Sequence, residues 1–308
     1  MPKRQHSGAE KLSAILVWML EVDWENSTEE INENDTTAAC TGHYHFRPTY
    51  IMQTSPPHLA LYQNKVGLVL RDGVMCVRKP VKYGLKTEWH RELRFLCMMG
   101  GHPYINSLVD VTHQDAKHYN LILQYHPHGD LDNYLLLKRL SGFNIDGTIM
   151  LAWVKQLLEA IAYMHEKDVV HSDIKMANCF VVEPSRLCIG DLGFAQSADA
   201  NGVGCRRCGS DRWKAPEQMD CDDDDDLPCP PSKKSDMWTL GCVVYGAMTF
   251  KVIYQTADTY RDLVDRKQHV HELNTPQIYS YALRDVVYRC LLHDPEKRPS
   301  AQELLATL

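Results

Sequence analysis

The chain has 308 residues, a formal net charge of −7 and ordinary globular proportions of apolar and charged side chains. That length makes one large two-lobed domain or two modest ones, with ample material for a core. Five of the negative charges form the run Asp222 to Asp226, so the remainder is nearly balanced and offers no broad basic surface for nucleic acid.

The first apolar run, Leu12 to Leu20, follows Lys3, Arg4 and Lys11. It is far short of the ~20 residues a spanning helix needs. Glu21, Asp23, Trp24 and Glu25 follow where small residues would mark a cleavage site, so the run reads as a helix packed on the domain. Residues 21–45 are polar and acidic and read as a connector, and Pro56-Pro57 punctuates the chain. The 11 cysteines are an odd number scattered through apolar segments, which predicts reduced intracellular thiols rather than a disulfide framework, and with no other apolar span a soluble protein is expected.

From His58 the pattern changes. Leu59-Ala60-Leu61, Gly67 to Leu70 and Val74 to Val77 read as short strands, with Asp72-Gly73 as the hairpin turn between the last two. Thr87 caps a predicted helix whose apolar face is Trp89, Leu93, Leu96 and Cys97, and Gly100-Gly101 ends it. Ser107 to Thr112 and Tyr119 to Tyr125 read as two more strands. Long helical patterns cover Ile149 to His165, Ser235 to Thr249 and Tyr281 to Leu292, and Ser300 caps a last short helix. The stretch from Asp220 to Lys234 is acidic, contains proline and lacks periodicity, so it reads as a surface loop. There is no internal repeat.

One stretch carries chemistry. Asp173, Lys175 and Asn178 lie at positions 0, 2 and 5 of a short segment, and Asp191-Leu192-Gly193 follows after an apolar run. A carboxylate that orients a hydroxyl, an ammonium that neutralises a moving phosphoryl group, and an amide and a carboxylate that hold magnesium are the parts of a phosphoryl-transfer centre. The set resembles the catalytic loop (H-R-D-x-K-x-x-N) and metal-binding loop (D-F-G) of the eukaryotic protein kinases. Ala215-Pro216-Glu217, Gly209-Ser210 ahead of it, Asp236-x-Trp238-Thr239-x-Gly241 and Arg298 keep the order of that family's later motifs. The short hairpins are also similar to those of trimmed kinases of large DNA viruses.

The resemblance implies an α+β, bilobal fold. Residues 1–57 would be an N-terminal extension, 58–125 a β-rich small lobe, and 126–308 a larger helical lobe. It implies ATP and Mg2+ as cofactors and a protein substrate, phosphorylated on serine or threonine because Lys175 matches that branch of the family. Asp173 and Lys175 would be catalytic, with Glu92 as the helix carboxylate. Asn178 and Asp191 would bind the metal. Leu123 would be the gatekeeper, the backbones of Gln124 and His126 would meet adenine, Asp130 the ribose, and Phe180 would form the adenine floor. Asp130 also reads as a helix N-cap. Ser210 would bond towards Asp173 and Lys175, Asp236 would anchor the catalytic loop, Arg298 would pair with Glu217, and His171, Leu192, Leu96 and Leu108 would pack as a column.

The small lobe departs from the family pattern. The glycine-rich loop, in the register Tyr62 to Val69, keeps only Gly67 and Val69, and missing glycines remove the backbone freedom that lets N–H groups close on phosphates. For the strand lysine, alternation turns Cys76 and Arg78 towards the nucleotide, whereas charge favours Lys79. Ser172 replaces the arginine that in the family docks a phosphorylated activation loop, and between Asp191 and Glu217 only Ser197 and Ser210 carry hydroxyls. Activity independent of loop phosphorylation is expected. A pseudokinase serving as a nucleotide-binding or scaffolding module is the alternative. A metal-dependent interaction module would rest on Cys205 and Cys208 with Cys221 and Cys229, whose spacing fits zinc poorly. The His43/His45, His126/His128 and His269/His271 pairs read as surface.

Overall fold

The computed structural model describes residues 66–82, 88–115, 118–198, 209–219, 230–251 and 273–308. The chain divides into two units, Met1–Gly67 and Leu68–Leu308, and all the described residues but Val66 and Gly67 belong to the second. The readings for Leu12 to Leu20, Leu59 to Leu61, Thr87, the four loop cysteines, His43/His45, His269/His271 and Asp222 to Asp226 lie outside the described residues.

The fold is α+β and bilobal, with a sheet first and helices after it. Strands β1 (Gly67–Arg71) and β2 (Val74–Lys82) are joined by Asp72 and Gly73. Both turn residues have positive φ, 51° and 81°, the conformation a two-residue hairpin matched to strand twist requires. Strand β2 is longer than the apolar pattern suggested, because pairing with β4 (His118–Gln124) extends it through Pro80 to Lys82. With β3 (Leu108–Asp115) the sheet has the order β1-β2-β4-β3. Helix α1 (Glu88–Met99) buries Leu93, Phe95, Leu96 and Cys97 and packs against the short turn Leu192–Phe194.

The helical lobe opens with α2 (Leu131–Leu140) and α3 (Gly147–Glu166), capped by the carboxylates of Asp130 and Asp146. Each cap accepts an otherwise unbonded N–H of the first turn. Along α3 the residues Met150, Trp153, Val154, Leu157, Leu158, Ile161 and Met164 are buried, the stripe that a 3.6-residue period produces. Strand β5 (Val169–Val170) then pairs with β8 (Gln196–Ser197), and β6 (Cys179–Glu183) pairs with β7 (Arg186–Ile189). After α4 (Pro216–Met219), α5 (Lys233–Thr249) is buried on nearly every side and forms the centre of the lobe. It touches α6 (Tyr281–Cys290) closely enough that a Cβ on Gly241 would lie 2.7 Å from Cys290 Cβ. The short α7 (Ala301–Leu305) has a reciprocal cap between Ser300 and Glu303. No helix among the described residues is long and apolar enough to cross a membrane.

One charge pair closes this lobe. The Arg298 side chain is fully buried. Its Nη1 and Nη2 donate to the two oxygens of Glu217 at 2.7 Å each, and its remaining N–H groups donate to the carbonyls of Leu292, Lys234 and His293. The guanidinium also lies 4.9 Å from the Trp238 ring centroid. A buried cation stripped of its counter-charge destabilises strongly, whereas loss of both charges is tolerated. Glu217→Ala is therefore expected to lower the unfolding free energy by about 3 kcal/mol, the low end of that range because the carbonyls remain. Glu217→Ala with Arg298→Met should unfold at higher urea concentration than Glu217→Ala alone.

Candidate active site

The segment His171 to Asn178 is held from below by one carboxylate. Asp236, on α5 and 1% exposed, accepts the main-chain N–H groups of His171 and Ser172 at 2.8 and 3.0 Å, and meets His165 Nε2 at 3.0 Å. The Asp236 anchor lies where the motif order suggested. The contribution of His165 was not legible, since it sits 71 residues away in sequence. Ser172 has φ 70°, a left-handed conformation that turns the chain sharply before Asp173.

Asp173 is 2% exposed, and four donors converge on its carboxylate. Oδ1 accepts the Ser210 N–H and hydroxyl at 3.0 and 2.9 Å. Oδ2 accepts Lys175 Nζ at 2.7 Å and Asn178 Nδ2 at 3.0 Å. Lys175 also donates to Ser210 Oγ at 2.8 Å. Asp173, Lys175, Asn178 and Ser210 thus form one network, with the carboxylate fixed in orientation.

The β6–β7 hairpin brings the second acid alongside. Cys179 pairs with Ile189, so Asn178 sits opposite Gly190, whose N–H donates to the Asn178 carbonyl at 2.9 Å. Asp191 follows directly, in the left-handed region at φ 61°. Both bonds of the Asn178 amide use its nitrogen, which leaves the amide oxygen as a hard donor. Asn178 and Asp191 therefore offer an oxygen ligand set of the kind magnesium takes. His171 Nε2 meets the Gly190 carbonyl at 3.0 Å, and His171, Leu192, Leu96 and Leu108 are all buried.

From the sheet, Lys79 Nζ reaches Glu92 Oε1 at 2.7 Å and Asp191 Oδ1 at 2.8 Å. Pairing across β2 and β4 places Val77 opposite Leu123 and Lys79 opposite Leu121, so those four side chains share a face. Arg78 and Cys76 lie on the other face. Arg78 Nη1 donates to Asn120 Oδ1 at 3.3 Å, and the Cys76 thiol is buried, 3.7 Å from the Val74 carbonyl. Val77 thus shares the Lys79 face, while Cys76 and Arg78 lie together on the opposite face, where buried Asn120 receives the arginine.

The other predicted residues fall as follows. Gly67 and Val69 are half-buried on β1, alternating with exposed Leu68 and Leu70. Leu123 is buried at the end of β4. The Gln124 N–H donates to the Ser107 carbonyl, and the His126 carbonyl accepts from Gly129, while the His126 N–H carries no bond among the described residues. The His126 ring, read as surface, is instead buried between Asn106 Oδ1 at 3.0 Å and Cys188 Sγ at 3.3 Å. Burial and the nearby Arg186 pull its pKa down to about 4. Asp130 acts as the α2 cap with both oxygens engaged by Asn133. The Phe180 ring stacks on His126 with centroids 5.7 Å apart and covers Gly190.

The chain belongs to the protein kinase family, whose domain pattern ("Protein kinase domain") matches residues 73–308. It is similar to the serine/threonine-protein kinase Nek3 of Oryza sativa subsp. japonica, 26% identical over 70% of this chain and 35% of the relative. It is 30% identical to the serine/threonine-protein kinase Nek4 of Mus musculus over 76% of this chain and 29% of the relative. Aurora kinase B of Danio rerio is 27% identical over 77% of this chain and 69% of its own length. The chain thus spans about a third of the length of the first two relatives.

The three charges around Lys79 titrate apart. Burial alone would lower the lysine, but Glu92 and Asp191 outweigh it and hold its pKa above the ordinary value. Burial pushes Glu92 up, and Lys79 offsets this only in part. Asp191 feels burial too, but Lys79 wins and its pKa falls. The deeper carboxylate loses more hydration: the Glu92 side chain is 8% exposed against 38% for Asp191. As pH falls, Glu92 therefore takes a proton before Asp191. Stability contributed by Asp191 is present above its unfolded pKa and is lost only as pH falls through the depressed folded value. Lys79→Met should raise both carboxyl pKa values, read by carbon NMR titration; unchanged values would mean Lys79 does not hold this pair.

Gly190 generates a second expectation. A Cβ there would lie 2.7 Å from Phe180 Cε2 and 3.0 Å from Asn106 Cβ, well inside contact. Gly190→Ala should cost roughly 1–3 kcal/mol of stability through overpacking, and Phe180→Leu in the same chain should recover most of it in thermal unfolding.

Proposed function

We propose that the chain is an active protein kinase that transfers the γ-phosphoryl group of ATP to serine or threonine hydroxyls of a protein. The observation that carries this reading is the pair of linked networks, Asp173 with Lys175, Asn178 and Ser210, and Lys79 with Glu92 and Asp191. A scaffold has no use for both.

The parts divide as the chemistry requires. In the transfer, a bond forms between the acceptor oxygen and phosphorus as the bond to the nucleotide's bridging oxygen breaks, and the hydroxyl proton is given up. Asp173 orients the hydroxyl and is the nearest acceptor for that proton. Lys175 neutralises charge on the moving group. Lys79 holds the nucleotide phosphates once it shares them with Asp191, and Glu92 keeps the ammonium aimed. Asn178 and Asp191 would hold Mg2+, which would supply positive charge between the phosphates. Adenine would lie against Phe180 and Leu123, with the His126 N–H as donor, and Val77 takes the place first given to Cys76. Restriction to serine and threonine is supported by Lys175 and by the names of the relatives.

Nucleotide and Mg2+ with a generic basic protein test this directly. Wild type should label serine and threonine. Asp173→Ala and Lys79→Met should lose activity by 10²-fold or more, the scale for removing a group that acts in the transition state. Arg78→Met should keep it. A wild type that binds nucleotide but transfers nothing would instead favour the pseudokinase.

A further inference from the structure

The segment that leaves Asp191 does not hang free of the catalytic loop. Strand β8 pairs with β5, with Val170 opposite Gln196 and Val169 opposite Ser197, and the Ala198 N–H donates to the Asp168 carbonyl at 2.7 Å. These backbone bonds lie upstream of the catalytic loop. One side-chain bond reaches into the loop itself: Gln196 Nε2 donates to Ser172 Oγ at 3.3 Å. Both residues are buried, Gln196 at 6% and Ser172 at 5% exposure.

Ser172 is gripped on three sides. Its N–H is fixed by Asp236, its hydroxyl by Gln196, and its carbonyl lies against Gly209 so closely that a Cβ there would come within 2.9 Å. Gly209 has φ 93°, so the close approach needs glycine. The next residue after Ser172 is Asp173, and the next after Gly209 is Ser210, which donates twice to Asp173. Ser172 thus sits at the joint where the Asp191 segment, the segment ending at Glu217 and the catalytic loop meet. Gln196 Oε1 is buried with no partner among the described residues, so among them Ser172 is the amide's one tether. The pair is uncharged, and a hydroxyl facing an amide bonds in either amide orientation.

We propose that Gln196 is a positioning residue: its bond to Ser172 locks the Asp191 segment onto the catalytic loop and fixes Asp173 relative to Asp191 without any phosphate on residues 191–217. This rests on the kinase reading above for its consequence in turnover, but the lock is a property of the free protein. An ionic joint between a basic residue and a phosphorylated loop can be switched by adding or removing the phosphate. A neutral, buried joint has no such handle.

Hydrogen exchange and steady-state kinetics test the two halves separately. In the free protein, Gln196→Ala and Ser172→Ala should each speed amide exchange across residues 169–178 by roughly 3- to 10-fold, the loss of one buried hydrogen bond. The double variant should be no faster than either single one, because both remove the same bond. In turnover, each should lower kcat by roughly ten- to a hundredfold with KM for ATP within about twofold, since misplacing a reacting group taxes the chemical step. Phosphatase treatment should leave wild-type activity unchanged. Additive exchange effects, an unchanged kcat in Gln196→Ala, or activity lost to phosphatase would overturn the proposal. Should Gln196→Ala fail to fold, Ser172→Ala deletes only the hydroxyl and reports on the same bond. Coupled exchange in a wild type that transfers no phosphoryl group would overturn the kinase reading and support the lock.

Discussion

A single ammonium ties the small lobe to the large one. Lys79 lies between Glu92, from a helix, and Asp191, from a loop of the other lobe, within 2.8 Å of each. Two carboxylates so placed would repel one another, and the buried one would be strongly disfavoured as an anion. The lysine is what makes the arrangement tolerable. It follows that sheet, helix and loop have one mutual position in which all three charges are satisfied. That position is also the one in which Leu121, Leu123 and Val77 face the same side as Lys79.

The large lobe depends on the same principle applied twice more. Asp236 is buried and gathers two main-chain N–H groups and a histidine. Asp173 is buried and gathers four donors. In both cases a carboxylate removed from water recovers its lost hydration through convergent donors. The donors come from more than one stretch of chain, His165 and the His171–Ser172 backbone at Asp236, Ser210 and the Lys175–Asn178 segment at Asp173, so satisfying the carboxylate fixes those stretches together. Arg298 does the same with the sign reversed, collecting one carboxylate and three carbonyls.

Much of this could be read before folding. Asp173, Lys175 and Asn178 are local, and their spacing alone puts them in one turn. The caps at Asp130 and Ser300 follow from residue type at the head of an apolar period. What the sequence hid was the partner across space. Alternation divides β2 into two faces but does not say which face meets the helix; Asn120, 42 residues on, decides that by receiving Arg78. The ring of His126 read as surface because its spacing with His128 suits a loop and no third ligand is in view, yet Asn106 and Cys188 enclose it. Gln196 belongs to no motif, and its meaning lies wholly in the hydroxyl 24 residues before it.

The backbone carries a last constraint. Ser172 and Asp191 both adopt positive φ, at 70° and 61°, though neither is glycine. Such a conformation costs of order 1–2 kcal/mol for an ordinary residue and persists only where the surroundings over-determine it. Each lies at a carboxylate of the candidate site, Ser172 just before Asp173 and Asp191 being one itself. The over-determination is visible in both cases: Asp236, Gln196 and Gly209 around Ser172, and Lys79 with the Asn178–Gly190 bond around Asp191. The two strained turns flank the same open end of the β6–β7 hairpin, where Asn178 lies opposite Gly190. A relaxed backbone at either point would swing its acid away from the donors it now meets, so the strain and the donor networks that hold it are one device.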